Sequence, residues 1–249
     1  MPNGTLSRST DSTSAHDIAR RLAHWRARIE RRRAVQEFKL CVPGAAVVYR
    51  LTAPADPDAV LDETISTDPH IPYWATPWAS GMALAEVALA RLREVVDLRA
   101  LDLGCGLGLT ATALAEAGAS VSAVDCFAES LTFARYNVLR NTGRTLRTHL
   151  MDWRTARGAR ALAGVDADLV VAADVLYEPE DVEPVLALGG AVLGRGGSFW
   201  LAEPGRATSA RFLERAKAIG WAGETITIDR EWPAVVGRAS VRVHLFQPH

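Results

Sequence analysis

The stretch LDLGCGLG begins in a short apolar run and carries an acid and three glycines at alternate positions: Asp102, Gly104, Gly106 and Gly108. Glycine loses more conformational freedom on folding than any other residue, so this spacing indicates that side chains would obstruct something there. Such a loop between a strand and a helix is typical of a binding site for a nucleotide-like ligand. A tight turn that serves the fold alone is the alternative.

The spacing of the glycines disfavours two common cofactor loops. A nicotinamide-binding turn follows G-x-G-x-x-G, which would place the third glycine where Leu109 stands. A phosphate-binding P-loop needs a Gly-Lys step before Ser or Thr, and the Leu109-Thr110 step contains no lysine. Because no basic residue lies near the glycines, we expect a ligand without phosphates.

Two more acids each end an apolar strand pattern further along the chain. Asp125 ends ASVSAVDCF and can accept the hydroxyls of a ribose. Asp152 ends THLMDW and can accept an exocyclic amine, while the neighbouring Trp153 can cover an adenine face. Each acid alone could cap a helix, but three acids that end three successive strands together predict an adenosine ligand.

The elements that must position these residues alternate regularly from residue 99 onward. Strand-helix alternation is typical of an α/β fold with a doubly wound, mostly parallel sheet, whose ligands bind at the carboxyl ends of the strands. The last two strands are joined by a short segment and should pair antiparallel. Seven strands are predicted near residues 99–103, 120–125, 145–150, 168–173, 197–202, 224–229 and 240–246, and helices near 108–117, 127–141, 180–193 and 207–219, with a weaker one near 155–163.

Three regions follow from the patterning. Residues 1–14 are rich in Ser and Thr without periodicity and are predicted to be a disordered lead. Residues 15–69 are predicted to form an N-terminal helix and β-hairpin, and residues 70–249 the main domain.

The N-terminal helix is predicted from Ala15 to about Phe38, because apolar residues recur there at helical spacing on an Arg-rich segment. The hairpin is predicted to turn at Pro43-Gly44. A Pro- and Asp-rich connection follows it, and the next helix is predicted to begin with Ser80 as its N-cap.

Composition limits the partners and the compartment. The 249 residues carry 28 basic and 29 acidic side chains, which gives no global reason to expect nucleic acid or an acidic membrane. The first fifty residues hold ten basic against four acidic side chains; we interpret this Arg-rich helix as a solvated face, with a nucleic-acid or partner surface as the alternative. Three cysteines without a C-x-x-C pair and the lack of a long apolar run predict a cytoplasmic protein that does not enter a membrane. The six histidines lack metal-ligand spacing, so no metal is expected.

The order of these motifs resembles the seven-strand, S-adenosylmethionine-dependent methyltransferases with a Rossmann-like fold. Within that class the chain resembles the branch of the electron-transfer-flavoprotein β-subunit lysine methyltransferases and of bacterial relatives labelled nicotinamide-methyltransferase-like. The resemblance implies S-adenosylmethionine as cofactor and N-methylation of an amine such as a protein lysine side chain, with a small-molecule N- or O-acceptor as the alternative. It rests on PYWATPWASGMALA, LDLGCGLGL, AVDCF, MDW, AADVLYEPE and LAEPGR, from about residue 70 to residue 206.

The resemblance assigns roles to residues at their positions in this sequence. Asp174 and Tyr177 form D-x-x-Y after the fourth strand and are the predicted catalytic pair, Asp174 orienting the amine and Tyr177 offering its hydroxyl or ring face. A helix-capping Asp174 with a packed Tyr177 is the alternative. The predicted cofactor residues are Trp78, Asp102, Gly104, Gly106, Gly108, Asp125, Cys126, Asp152, Trp153 and Asp174; the predicted substrate residues are Tyr73, Trp74, Tyr177, Glu203 and Arg206.

Alternative roles and departures from the family remain at several of these positions. Trp78 could be ordinary core packing, and Arg206 a surface residue. The segment Ser80-Gly81-Met82 differs from the usual Gly-Gly step and glutamine, and Glu203 stands where relatives have aspartate. These departures concern the acceptor. Val175-Leu176 replaces the two prolines typical of enzymes that methylate nucleic-acid bases, which disfavours that substrate class.

Two hypotheses assign the chain to other functional classes of protein. A nicotinamide-dependent oxidoreductase would require the missing third glycine of its cofactor turn. A non-catalytic adenosyl-binding scaffold would be expected to lose Asp174 or Tyr177, and both residues are present.

Overall fold

The computed structural model describes residues 14–65, 70–155, 162, 165–232 and 238–248. The N-terminal part contains helix α1 (Ala15–Glu30), the antiparallel strands β1 (Val35–Leu40) and β2 (Tyr49–Pro54), and helix α2 (Pro57–Ile65). The remaining elements are α3 (Ala79–Ala90), α4 (Leu92–Val95), β3 (Arg99–Leu103), α5 (Leu109–Glu116), β4 (Ser120–Asp125), α6 (Ala128–Thr142), β5 (Arg147–Leu150), β6 (Ala167–Ala173), α7 (Val182–Val192), β7 (Leu193–Glu203), α8 (Ala207–Ala218), β8 (Ala222–Glu231) and β9 (Arg238–Gln247), with short 3₁₀ turns at Tyr73–Ala75 and Pro179–Asp181.

The main sheet has seven strands in the order β5-β4-β3-β6-β7-β9-β8. All neighbours pair parallel except β9, which runs antiparallel to both β7 and β8. The predicted doubly wound α/β sheet with one antiparallel last strand is therefore confirmed. The strand order reverses at β3, which lies between β4 and β6, so the ends of these three strands form the crevice where ligands of such folds bind.

The N-terminal helix is shorter than predicted. It begins after Ser14, whose side chain accepts from the N–H of Asp17, and it ends at Glu30 instead of near Phe38. Arg33 then contacts two carboxylates, with Nε 2.7 Å from Oε1 of Glu129 and Nη2 2.8 Å from Oε2 of Glu63. These contacts and the pairing of β1 with β2 draw the chain out of the helix, because tertiary contacts override the helical pattern.

Two further local predictions need correction. The Pro- and Asp-rich connection contains α2, whose first turn is capped by Asp56 accepting from the N–H of Ala59 at 3.0 Å. Ser80 is not an N-cap, because α3 begins at Ala79 and Ser80 is buried inside its first turn. The predicted hairpin turn is confirmed, since Ala45 N–H donates to the carbonyl of Val42 across Pro43-Gly44.

Some predictions lie outside the described residues. These are most of the disordered lead, residues 1–13, and most of the weaker helix near 155–163. Within the described ranges, no helix combines the length and apolar character needed to cross a bilayer.

The N-terminal elements and the sheet share one buried apolar cluster, which contains Ile29, Tyr49 and Leu51 together with Leu84 and Leu114. A polar connection runs through the same interface: the buried amide of Asn137 on α6 bonds both backbone groups of Thr52 on β2, and it also donates to the carbonyl of Leu107 at 2.9 Å. A buried amide that satisfies three backbone groups fixes the hairpin and the loop after β3 to the same helix.

Many arginines of α1 are paired on the helix itself. Arg20 and Arg21 both contact Asp17, and Nε of Arg26 lies 2.6 Å from Oε1 of Glu30. Such exposed pairs contribute little stability, so the attachment of α1 depends on its apolar stripe. Ile29 is its buried member, with 3% exposure.

We expect Ile29→Ala to lower the free energy of unfolding by about 2–4 kcal/mol, because it leaves a cavity between α1 and the body of the protein. Arg20→Ala on the exposed face is the matched control and should change it by less than about 0.5 kcal/mol. Urea denaturation of the three proteins measures both values. Equal stability of the Ile29 variant and the parent would show that α1 is not part of the cooperative unit.

Candidate active site

A cavity opens at the carboxyl ends of β3, β4 and β6, where the strand order reverses. Most of the residues predicted from the sequence line it, although they come from five separate segments. Gly108, Asp152, Glu203 and Arg206 are not among the lining residues. Those that do line it are Tyr73, Trp74, Trp78, Asp102, Gly104, Gly106, Asp125, Cys126, Trp153, Asp174 and Tyr177.

The glycine loop (residues 104–108) has a left-handed backbone at all three glycines. A Cβ on Gly104 would lie 2.8 Å from Cγ1 of Val175, and a Cβ on Gly108 would lie 2.9 Å from the Cα of Ala134 on α6. Glycine is therefore required at position 108 because the loop approaches α6 closely. It is required at position 104 because Val175 and Trp153, which line the cavity, leave no space for a Cβ. The purely structural interpretation holds for Gly108, which faces away from the cavity.

The amide groups of the loop are largely used inside the protein. Gly104 and Cys105 both donate to the carbonyl of Val124, Gly108 donates to the carbonyl of Cys105, and Gly106 donates to Asp125. Four amides of the loop therefore already have partners within the protein and are not free to bind a ligand carboxylate in this arrangement. The first turn of α5 offers further N–H groups without a partner within the helix, although that of Ala111 donates to Asp102.

We expect Gly108→Ala to destabilise the protein more than Gly196→Ala. Both glycines have φ of +79°, but a Cβ on Gly196 meets nothing within 4 Å. The shared backbone strain costs about 1–2 kcal/mol, and the clash with α6 adds about 1–3 kcal/mol for Gly108 alone. Thermal denaturation compares the two variants, and equal melting temperatures would rule out the packing role.

The carboxylate of Asp125 is the centre of a buried hydrogen-bond network. It accepts from the N–H groups of Gly106 and Phe127, each at 3.0 Å, and from the hydroxyl of Ser130 at 2.8 Å. The N–H of Cys126 is a fourth donor to Asp125, so the roughly four acceptor positions of the carboxylate are in use in this arrangement. The Ser130 hydroxyl also lies 2.9 Å from the carbonyl of Gly106, and turning to it would free one position for a ribose hydroxyl.

Asp102 is a buried acid with an unsatisfied atom. Its side chain is 1% exposed, and Oδ2 has no hydrogen-bond partner among the described residues. Burial raises the pKa of Asp102 to about 7, the charge of Asp125 adds to the rise, and the N–H of Ala111 opposes it. Burial likewise raises the pKa of Asp125. The cavity therefore disfavours uncompensated negative charge and favours a ligand that brings positive charge to Asp102.

The raised pKa of Asp102 predicts a pH dependence of stability. Between its ordinary value of 3.8 and about 7, the folded state keeps the proton that the unfolded state has lost, so stability falls as pH rises and levels off above 7. Asp102→Asn should remove this dependence. The parent should lose stability with rising pH while the variant does not. The difference in the free energy of unfolding, variant minus parent, should therefore increase by about 1 kcal/mol per pH unit across this window. Urea denaturation from pH 4.5 to 8 measures it; a constant difference would contradict a raised pKa.

Asp152 is predicted to contact the cofactor, but its side chain does not line the cavity. Its Oδ1 accepts from the backbone N–H and from Nε of Arg154, each at 3.0 Å, and its Oδ2 lies 3.3 Å from Nε2 of His70. The side chain is thereby turned toward the loop that follows β5. Its neighbour Trp153 does line the cavity, and the indole Nε1 is buried without a partner in the described part of the chain. Of the two predicted adenine contacts, the structure brings the indole to the cavity.

Asp174 lies directly after β6 in a left-handed backbone conformation, with φ of +54°. Its side chain is 5% exposed, and both oxygens contact Arg206, at 2.8 Å from Nε and 3.2 Å from Nη2. Its backbone N–H donates to the carbonyl of Ala202 at the end of β7. A non-glycine residue with positive φ is strained and persists where its surroundings hold it in place, which occurs often at functional sites.

Asp174 is not a helix cap. The following turn is capped by Asp181, whose Oδ2 accepts from the N–H groups of Tyr177 at 3.0 Å and Glu178 at 2.8 Å. Glu178 and Asp181 complete a reciprocal capping box around Pro179–Asp181. The capping alternative is therefore wrong for Asp174, whose carboxylate pairs with Arg206 instead.

Aromatic rings form one wall of the cavity beside Asp174. Tyr177 stacks on Tyr73 with ring centroids 4.5 Å apart, and Trp78 contacts Tyr73 edge-on at 6.0 Å. Trp78 is 37% exposed and its indole N–H donates to the carbonyl of Tyr73, so it is not core packing. Trp74 is buried against Phe133 and reaches the cavity from the core side.

Burial is the main cause that raises the pKa of Tyr177, and the charge of Asp174 adds to it. The hydroxyl therefore stays protonated at neutral pH. It can donate a hydrogen bond, but it is a poor candidate for a general base.

Glu203 faces the sheet instead of the cavity. It is buried, and it binds Nε of Arg242 at 2.7 Å, Nε2 of His244 at 3.3 Å and the N–H of Gly205 at 2.5 Å. Burial would raise the pKa of Glu203, but these donors outweigh it and hold the pKa at about 2. Glu203 is thus an internal anchor of the loop that carries Arg206, and this structure does not bring its predicted substrate-binding carboxylate to the cavity.

Sequence reasoning missed two residues that shape the site. Ser130 orients Asp125, and Asp181 fixes the turn that carries Tyr177. A polar residue five positions after a strand-ending acid is a weak pattern, whereas the D-x-x-Y-E-P-E-D segment does contain a recognisable capping motif for Asp181. Across the described part of the chain, no three His, Cys, Asp or Glu side chains cluster in a way that could hold a metal.

Residues 101–201 match the sequence family described as a methyltransferase domain. The chain is 31% identical over 139 residues to protein-lysine N-methyltransferase EEF2KMT of Mus musculus, covering 50% of this chain and 41% of that protein. It is 30% identical over 122 residues to protein-lysine methyltransferase METTL21E of Bos taurus, covering 46% and 41%. Histone-arginine methyltransferase METTL23 of Mus musculus is 26% identical over 155 residues, covering 59% and 61%. The matches thus span less than half the length of the first two relatives.

Solved structures share the fold at low sequence identity. Precorrin-6y C5,15-methyltransferase from Geobacter metallireducens superimposes with a TM-score of 0.55 at 17% identity, over 70% of this chain and 94% of that chain. Ribosomal protein L11 methylase from Lactobacillus delbrueckii subsp. bulgaricus gives a TM-score of 0.52 at 20% identity, over 70% and 81%. At these identities the likeness concerns the fold, and the acceptors of these proteins carry no argument for this chain.

Proposed function

We propose that the chain, whose residues 101–201 match a methyltransferase domain, is a class I S-adenosylmethionine-dependent methyltransferase that transfers a methyl group to an amine, with a protein lysine side chain as the acceptor. The observation that carries the proposal is the arrangement beside the cavity of a buried carboxylate, Asp174, and the stacked rings of Tyr177 and Tyr73. A carboxylate next to aromatic faces is a recognition site for a cationic nitrogen.

The residues around the glycine loop fit the cofactor. The unsatisfied Oδ2 of Asp102 could accept from the cationic amino group of the methionine moiety, which would offset the cost of ionising this buried acid. Asp125 is held ready for a ribose hydroxyl, and Trp153 and Cys126 line the neighbouring part of the cavity for the adenine. When bound, the cofactor supplies an electrophilic methyl group on a sulfonium.

The acceptor residues act by orientation. A lysine ammonium has no free electron pair, so it must lose a proton before its nitrogen can react. Asp174 can hold the nitrogen in line, and Tyr177 can present its ring face or donate its hydroxyl, while the proton passes to water through the open side of the cavity. Trp78 and Tyr73 cover the entrance and reduce the access of water to the reacting atoms.

A protein acceptor is favoured by the relatives, because two are named as protein-lysine methyltransferases. An aromatic surface with exposed Trp78 and Ile71 at the cavity rim can also receive the chain around a lysine. A small-molecule amine is the second candidate for the same chemistry.

The test uses cofactor labelled on its methyl group, incubated with the protein and a lysate of its native source. We expect the label in the protein fraction and, after hydrolysis, on methyl-lysine. Asp174→Asn should reduce the rate about 100-fold or more at saturating cofactor while the affinity for S-adenosylhomocysteine changes little, because the charge that orients the amine is lost.

Asp168→Asn is the matched control. Asp168 lies at the start of β6, whereas Asp174 directly follows the strand, and Asp168 likewise binds both Nε and Nη2 of an arginine, Arg99. Its rate should match that of the parent. Label that is confined to small molecules or nucleic acid would contradict the protein acceptor, and a parental rate for Asp174→Asn would remove Asp174 from the site.

A further inference from the structure

A guanidinium group of the protein itself occupies the place that the proposed function gives to the acceptor. Both oxygens of Asp174 contact the side chain of Arg206, and the Cζ of Arg206 lies 5.0 Å from the centroid of the Tyr177 ring. The carboxylate and the aromatic face that suit a cationic head group are thus already in contact with one.

We propose that Asp174 and Tyr177 form a site for a single cation, that Arg206 fills this site in the free protein, and that the acceptor reaches Asp174 by displacing Arg206. The inference rests on the proposed function, because it concerns the acceptor side of the same site. It makes Arg206 an internal competitor that excludes head groups unable to replace it.

Charge limits the site to one cation. Asp174 is buried, and its two oxygens already accept from Nε and Nη2 of Arg206. An ammonium added beside the guanidinium would bring two positive charges against one carboxylate, and like charges at this distance repel strongly where water is scarce. A neutral or anionic head group would gain too little from Asp174 to replace the guanidinium.

The surrounding backbone allows the side chain of Arg206 to leave without rearranging the loop. The carbonyl of Arg206 accepts from the N–H groups of Ser209 and Ala210 in the first turn of α8. The hydroxyl of Thr208 donates to the carbonyl of Leu176 at 2.6 Å, which fixes the start of α8 to the D-x-x-Y segment. The side chain of Arg206 is 38% exposed, so it can rotate into solvent while the backbone stays in place.

The test measures binding of simple cations to a vacated site. Methylguanidinium and butylammonium chloride are titrated into the parent and into Arg206→Ala, with 1-butanol as the neutral probe and sodium chloride as the salt control. If Arg206 fills the site nine-tenths of the time, its removal should tighten binding of both cations about tenfold. Butanol should bind both proteins equally weakly.

Arg215→Ala is the matched control variant. Arg215 lies on α8 and binds Glu183 through Nε at 2.7 Å and Nη2 at 3.3 Å, but both side chains are exposed and neither lines the cavity. Its loss should leave cation binding at the parental level. The double variant Arg206→Ala/Asp174→Asn should lose the gain seen with Arg206→Ala, because the remaining aromatic face lacks the compensating charge.

Equal cation affinities of the parent and Arg206→Ala would overturn the inference and show that the pair is a fixed strut of the loop. If Arg206→Ala does not fold, Arg206→Gln replaces it, since glutamine keeps one donor for Asp174 but carries no charge. Binding of S-adenosylhomocysteine to the parent is measured separately. Its absence would contradict the proposed function, whereas the cation titrations decide the role of Arg206 in either case.

Discussion

The buried carboxylate of Asp125 holds together three segments that must meet at the cavity: the glycine loop, the end of β4 and the start of α6. It accepts from the N–H of Gly106 in the loop, from the N–H of Phe127 just before α6 and from the hydroxyl of Ser130 in the first turn of α6. Donors lower the cost of burying a carboxylate, so the end of β4, the loop and the helix are fixed relative to one another by the same hydrogen bonds. Asn137 extends this constraint from α6 to the N-terminal hairpin.

The side of the cavity that we propose for the acceptor depends on a second buried acid, Asp174, and the charges of the two acids are balanced in different ways. Asp125 is surrounded by neutral donors, whereas Asp174 is balanced by the full charge of Arg206. The loop that carries Arg206 is held in turn by Glu203, whose contacts with Arg242 and His244 lie on β9, the antiparallel strand. The far half of the sheet therefore determines the position of the arginine that contacts Asp174.

The sequence predicted the cofactor side of the site better than the acceptor side. Strand-ending acids and alternating glycines are local patterns, and their meaning follows from the rule that ligands bind where parallel strands end. Asp102, Asp125 and Trp153 accordingly line the cavity, as the patterns indicated. Asp152 and Glu203 end strands in the same way, but the carboxylate of Asp152 contacts the neighbouring Arg154 and the distant His70. The carboxylate of Glu203 contacts Arg242 and His244, which are distant in sequence.

By itself the sequence determined the fold class, the order in which the strands and their terminal motifs follow along the chain, and most of the residues that line the cavity. Hydrophobic periodicity and glycine spacing suffice for this because they are patterns over a few residues. The tertiary structure alone decided the end of α1, the burial of Ser80, the internal role of Glu203 and the pairing of Asp174 with Arg206. Each of these depends on a partner at least thirty or so positions away or on the packing of a whole helix, such as Arg33 against Glu129 or Asp174 against Arg206. The physical reason is that the direction of a charged side chain is set by the charges that folding brings near it, and residue spacing along the chain does not contain that information.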